Sequence, residues 1–179
     1  MSPRMRCLIV GVTLVLLVGC DQASKGYATD HWQHTERNPM LVVGQSFFIQ
    51  YAVNRGAFLS LFANLPEQVR LLLLVVMNGI VLSGVAFVLL FRSGWNKWTF
   101  VALALLLAGG VGNLIDRLSL GGVIDFMVID FSALTGIGWL RTGVFNVADV
   151  AITTGFLMLL PQLMRKDPKR PPAAEATTA

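Results

Sequence analysis

Four long apolar runs constrain this chain more than anything else in it. They cover residues 7–19, 71–91, 98–115 and 144–164. An α-helix rises about 1.5 Å per residue, so roughly 17–25 mostly apolar residues cross a bilayer. The last three runs meet that length. The first is short and, taken alone, reads equally well as a signal-peptide core. Of 179 residues, 55% are hydrophobic and 13% are charged. A soluble domain of this length cannot bury so much apolar surface. The expected fold class is therefore an all-α integral membrane protein. Its core would be a four-transmembrane-helix bundle with spans at about 7–22, 70–91, 98–115 and 144–164.

Orientation follows from lysine and arginine density. With both termini cytoplasmic, the cytoplasmic pieces 1–6, 92–97 and 165–179 hold eight basic residues in 27 positions. The outer pieces 21–70 and 116–143 hold six in 78. That contrast matches the positive-inside rule and requires an even number of spans. The net charge of +4 thus reports topology and gives no reason to expect a nucleic-acid partner. The two cysteines, Cys7 and Cys20, would stand roughly 19 Å apart on one helix, beyond disulfide reach. Between the first two spans, residues 47–53 are aromatic and β-branched and end at Asn54-Arg55-Gly56. They predict a strand and turn, hence a small extracytoplasmic β-rich platform over about 30–67. A second extracytoplasmic loop is expected over 117–143. The main unit would be one membrane-embedded domain over 1–165. Pro168, Pro171, Pro172 and the Ala/Thr end predict a disordered basic cytoplasmic tail over 166–179.

Against this apolar background the acids stand out. Eight of ten lie outside or at outer helix ends. Ionisable groups at membrane depth are costly and mark function by default. Asn113, Asp116 and Arg117 share one face at the outer end of the third run, and Asn146 and Asp149 share one at the start of the fourth. Each group also has a plain structural reading. Asp116 can pair with Arg117 or a neighbour, Asp149 can sit at a positive helix N-terminus, and Asp21 with Lys25 can form an i,i+4 helix-end ion pair. Asp125 and Asp130 both lie in an apolar stretch too short to span, and spacing favours neither strongly. Gly109, Gly110 and Gly112 suit close helix packing.

Two carboxylates brought together share a proton and supply one base and one acid. Asp125 with Asp149 is the preferred pair, because neither has an arginine beside it. Other hydrolytic chemistries lack their residues. His31 and His34 are the only histidines, without a His-Glu-x-x-His pattern, and no Gly-x-Ser-x-Gly occurs. No metal and no cofactor are expected. A Ser–Lys site using Ser24 or Ser60 with Lys25 has nothing to position it. Leu17-Val18-Gly19-Cys20 imitates a lipoprotein processing site, but three further spans follow it.

Five blocks occur in order: Asp21-Gln22-Ala23-Ser24-Lys25, Asn54-Arg55-Gly56-Ala57-Phe58, Gly109-Gly110-Val111-Gly112-Asn113-Leu114-Ile115-Asp116-Arg117, Val123-Ile124-Asp125-Phe126 and Phe145-Asn146-Val147-Ala148-Asp149. Together they resemble the bacterial prolipoprotein signal peptidase, or type II signal peptidase, family. The resemblance implies an intramembrane aspartyl endopeptidase. Such an enzyme removes the signal peptide of a diacylglyceryl-modified prolipoprotein by cutting before the lipid-modified cysteine. It places the catalytic pair on Asp125 and Asp149, which sets Asp130 aside. It places site-lining residues on Asp21, Lys25, Asn54, Gly56, Asn113, Asp116, Arg117, Asn146 and Ala148. It also implies the cytoplasmic (inner) membrane with the site near its outer face, contact with membrane lipids, inhibition by globomycin, and a monomer. One block departs from the family's frequent Asn-x-Gly-Ala-Ala-Phe, since Phe58 stands one place early. The rivals are a proton-coupled carrier, which would want polar residues through the full depth of the bundle, and a scaffold, which would tolerate loss of both aspartates.

Overall fold

The computed structural model of the chain describes residues 2–34, 40–43, 46–56, 65–92, 94 and 96–164. The expected tail at 166–179 and the displaced Phe58 lie outside the described residues. The elements are α1 (Pro3–Trp32), β1 (Met40–Val43), β2 (Phe47–Asn54), α2 (Glu67–Phe91), α3 (Lys97–Leu120), β3 (Val123–Ile129), the short α4 (Ser132–Thr135) and α5 (Val147–Met164). Among them α1, α2 and α3 are long and apolar enough to cross a membrane, and α5 is a shorter apolar helix.

The ends of these helices follow local chemistry. Ser2 accepts the Met5 N–H ahead of Pro3, and Asn96 accepts the N–H groups of Trp98 and Thr99. Both satisfy amides that a helix N-terminus leaves unpaired. Gly121, at φ 72°, closes α3 in the left-handed conformation that an L side chain resists.

α3 is the central helix, packing on α1, α2 and α5. In its apolar window 44% of residues are buried within the protein, against 6% for α2, whose outer face is left for lipid. Lipid is as apolar as leucine, so close packing has to hold these helices together. The α3–α5 seam supplies it with small residues. A Cβ on Gly109 would strike the Ala148 carbonyl, and one on Gly155 would stand 2.6 Å from the Ala102 carbonyl. At one end of the bundle Val10, Leu89, Phe100 and Leu107 form an apolar cluster.

At the other end sits a three-stranded antiparallel sheet in the order β1-β2-β3. It rests on the last turns of α1 through Ala28, Ile49, Ile124 and Phe126. Several boundaries differ from the sequence expectation. α1 runs past residue 22 to Trp32, because Asp21 and Lys25 are accommodated inside the protein and need not end the helix. α3 continues past 115 to the glycine at 121 for the same reason. The expected loop at 117–143 contains β3. Its β-branched residues complete the platform by pairing with β2, a partner too distant in sequence for local pattern to show.

Candidate active site

The start of α5 builds the first half of the site. Asn146 precedes the helix, and its side-chain oxygen accepts the Asp149 N–H at 2.9 Å. Asp149 returns the contact, accepting the Asn146 N–H at 3.1 Å. This reciprocal cap fixes the Asp149 carboxylate at the positive end of the helix. A third helix-end amide, that of Ala148, is taken by Asp21 of α1 at 2.9 Å. Asp149 also accepts from the Asn113 amide of α3 at 2.8 Å.

β3 brings the second half. Met127 and Phe145 exchange both backbone hydrogen bonds at 2.9 Å, so the chain leading into α5 is stitched to β3. Asn146 then reaches Asp125, donating to it at 2.7 Å. Asn54, diagonal to Asp125 across the Ala52–Asp125 pair, donates to its other oxygen at 3.2 Å. A bulge in β2 between Ile49 and Ala52 lies next to this pair. Asp125 is 3% exposed. Burial first, and the charge of Asp149 second, push its carboxyl from 3.8 up to about 7, against the opposing hydrogen bonds from Asn54 and Asn146.

Beneath these two acids lies a second polar cluster. The Lys25 ammonium sits 2.7 Å from Asp21 and 2.9 Å from Asp116, with all three side chains 2% exposed. Lys25 also donates to Asn113 at 3.1 Å, and Asn113 receives Asn146 at 3.1 Å. Asp116 accepts the Ile124 N–H at 3.1 Å, tying the end of α3 to the residue before Asp125. Gly112 makes room for this cluster, since a Cβ there would stand 2.6 Å from an Asp21 oxygen.

The sequence-derived residues are distributed as follows. Asp21, Lys25, Asn54, Asn113, Asp116, Asn146, Ala148, Asp125 and Asp149 form one connected hydrogen-bonded array. Gly56 stands at its edge, its N–H held by Asn54 at 3.1 Å. Arg117 is half-buried, donates to the Asn113 carbonyl at 3.2 Å, and among the described residues forms no ion pair. The plain reading of Asp116 as a buried pair is right in kind, but its partner is Lys25 and not Arg117. Asp130 is elsewhere. Five residues along, it falls on the opposite side of the strand line from Asp125. There it accepts the Ser132 N–H at 2.8 Å in the turn before α4. Hydrogen bonds from the Ser132 hydroxyl first, and its backbone N–H second, hold the Asp130 carboxyl below the usual carboxylate range. Gln22, which the sequence pattern alone does not single out, bridges α1 to Asp116 at 2.8 Å. Its i,i+3 spacing to Lys25, on the face shared with Asp21, is the signal that could have found it.

Known proteins agree with this architecture. The family model described as signal peptidase (SPase) II matches residues 13–165. A lipoprotein signal peptidase of Pseudomonas syringae pv. tomato is 38% identical over 146 residues, covering 81% of this chain and 79% of that protein. The one from Syntrophus aciditrophicus is 33% identical over 162 residues, covering 90% and 94%. A solved bacterial membrane enzyme shares the fold with TM-score 0.71 at 24% identity, over 90% of this chain and 93% of its own. The chain thus belongs to the signal peptidase II family of bacterial membrane proteases.

Proposed function

We propose that this protein is an aspartyl endopeptidase that removes the signal peptide from diacylglyceryl-modified prolipoproteins, with Asp125 and Asp149 as the catalytic pair. The observation that carries the reading is Asn146. One side chain and its own backbone hold both carboxylates, on two different elements, at one end of an apolar bundle.

The chemistry follows from the surroundings. With its carboxyl at about 7, Asp125 keeps a proton for much of the population at neutral pH. Asp149 lies at a helix N-terminus and accepts N–H donors from Asn146 and Asn113, which hold its carboxylate in place to act as the base. Asp149 takes a proton from water as the water oxygen attacks the scissile carbonyl carbon. Asp125 gives its proton to the carbonyl oxygen. The tetrahedral diol then collapses. The proton on Asp149 passes to the leaving nitrogen, a diol hydroxyl returns its proton to Asp125, and the C–N bond breaks. Both acids end as they began. Asn54, Gly56, Arg117 and Asn146 surround the place where a peptide backbone has to lie.

The proposed topology has four spans, α1, α2, α3 and α5, with both termini cytoplasmic and the dyad near the outer face. Two contacts support it. Arg6 near the start of α1 donates to the Arg92 carbonyl just after α2 at 2.8 Å, and Asn96 before α3 meets Gln162 late in α5 at 3.0 Å. The same reading takes 1–165 as one monomeric protease domain, with 166–179 a cytoplasmic tail, and expects globomycin to block cleavage.

The test is cleavage of a purified diacylglyceryl prolipoprotein in detergent by wild type, Asp125→Asn, Asp149→Asn and Asp130→Asn. The first two variants should fold and lose activity, while Asp130→Asn cuts. A wild-type protein that leaves the substrate intact removes the protease assignment. An active Asp125→Asn beside a dead Asp130→Asn moves the pair.

A further inference from the structure

We propose that Gln22 is a positioning residue of the dyad, acting through Asp116. The inference rests on the aspartyl protease reading above. Asp21 and Asp116 are two buried carboxylates sharing one lysine. The Lys25 ammonium reaches one oxygen of each, and the Asp21 oxygen that remains is satisfied by the Ala148 N–H. On Asp116, Lys25 and the Ile124 N–H both fall on Oδ2. Among the described residues Oδ1 has one donor, the Gln22 amide at 2.8 Å. The same nitrogen lies 3.3 Å from Asp21 Oδ2 and 3.3 Å from the Gly112 carbonyl.

A side-chain amide suits this place. It offers two N–H groups on one atom without adding charge. A buried acceptor left without a donor costs the full desolvation of that group, so Asp116 without Gln22 has reason to turn. Turning moves Oδ2 away from the Ile124 N–H. Ile124 directly precedes Asp125, so the start of β3 and the acid on it lose their anchor to α3. Reacting groups displaced by about 1 Å can cost on the order of 100-fold in rate. Gln22 reaches the dyad only through this linkage, so substrate affinity should be left alone.

Steady-state cleavage of a diacylglyceryl prolipoprotein by folded Gln22→Leu and Gln22→Glu tests this. Gln22→Leu should lower kcat roughly 10- to 100-fold with KM within about twofold of wild type. Gln22→Glu keeps the shape but, when ionised, cannot donate. Protonated, its O–H can reach Asp116. Its kcat relative to wild type should therefore rise as pH is lowered, a response that a purely structural role does not produce. Wild-type kcat in Gln22→Leu overturns the proposal, as does a raised KM with kcat intact, which makes Gln22 a substrate contact. If Gln22→Leu does not fold, the Gln22→Glu ratio decides, and a flat ratio overturns the proposal. Failure of the wild-type enzyme to cut strikes the protease reading itself and is seen separately.

Discussion

The molecule holds two pairs of acids within one hydrogen-bonded array, and among the described residues a lysine stands in contact with only one pair. Asp21 and Asp116 close around Lys25 at 2.7 and 2.9 Å. Among the described residues the hydrogen bonds to Asp125 and Asp149 come from amides, of Asn54, Asn146 and Asn113. Identical side chains are thereby placed in contrasting surroundings, with Asp21, Asp116 and Asp125 buried and Asp149 half-buried. A carboxylate bonded to an ammonium is held in place by its partner and serves as structure. Asp125, which accepts amide donors and has the Asp149 charge nearby, is held near the pH at which a carboxyl exchanges a proton. The lysine cluster also positions the pair, since Asp21 caps the helix carrying Asp149 and Asp116 holds the strand carrying Asp125.

The widest separation is expected between Asp149→Asn and Lys25→Met. Loss of the dyad acid should lower cleavage roughly 10³-fold or more, while the unfolding temperature in detergent stays near wild type. Loss of the lysine leaves two acids facing each other in a dry site and should remove about 3–5 kcal/mol of stability. If Lys25→Met unfolds no more easily than Asp149→Asn, the two clusters do not differ in kind. Next comes Gly112→Ala. Its methyl would meet Asp21 Oδ2 at 2.6 Å and force the carboxylate off the Ala148 amide. A stability loss of about 1–3 kcal/mol is expected, with a drop in kcat. A neutral outcome in thermal unfolding and turnover would show that the cluster has slack.

The pH response sharpens the contrast from the other side. The Asp125 carboxyl is raised from 3.8 to about 7. Between those values the folded protein keeps a proton that the unfolded chain has released. The resulting stabilisation is complete below pH 3.8 and is lost as pH rises through about 7. Asp125→Asn removes this dependence. The unfolding temperature of wild type minus that of the variant should therefore fall as pH rises across the window, and cleavage should decline above its upper end. A flat difference would take the proton away from Asp125. The smallest effect is expected for Asp130→Asn. The asparagine oxygen can still receive the Ser132 N–H, so stability should change by less than about 0.5 kcal/mol and cleavage should persist. A dead, folded Asp130→Asn would erase the distinction between the two neighbouring acids.

The apolar runs dictate an integral membrane protein, because only helices or closed barrels satisfy the backbone in lipid and these runs have helical length. Local pattern also grouped most residues of the candidate site. Asp21 with Lys25, Asn113 with Asp116 and Arg117, and Asn146 with Asp149 all follow from the period of a helix. Glycines 109, 110 and 112 were legible as close-packing positions. The local pattern could not choose between Asp125 and Asp130, because that choice depends on β3 being a strand paired to β2, which turns the two acids to opposite sides. It left the partner of Asp116 open between Arg117 and a neighbour, and the fold supplies a lysine from another helix. It left Gln22 without a task. Each of these was decided by contacts across dozens of residues, where a buried charge takes the partner that three helices and a sheet bring within hydrogen-bonding distance. The sequence by itself determined which elements form and which faces are polar. Tertiary structure decided which acids share a lysine and which meet amide donors, since both depend on distances of a few ångströms between elements far apart in the chain.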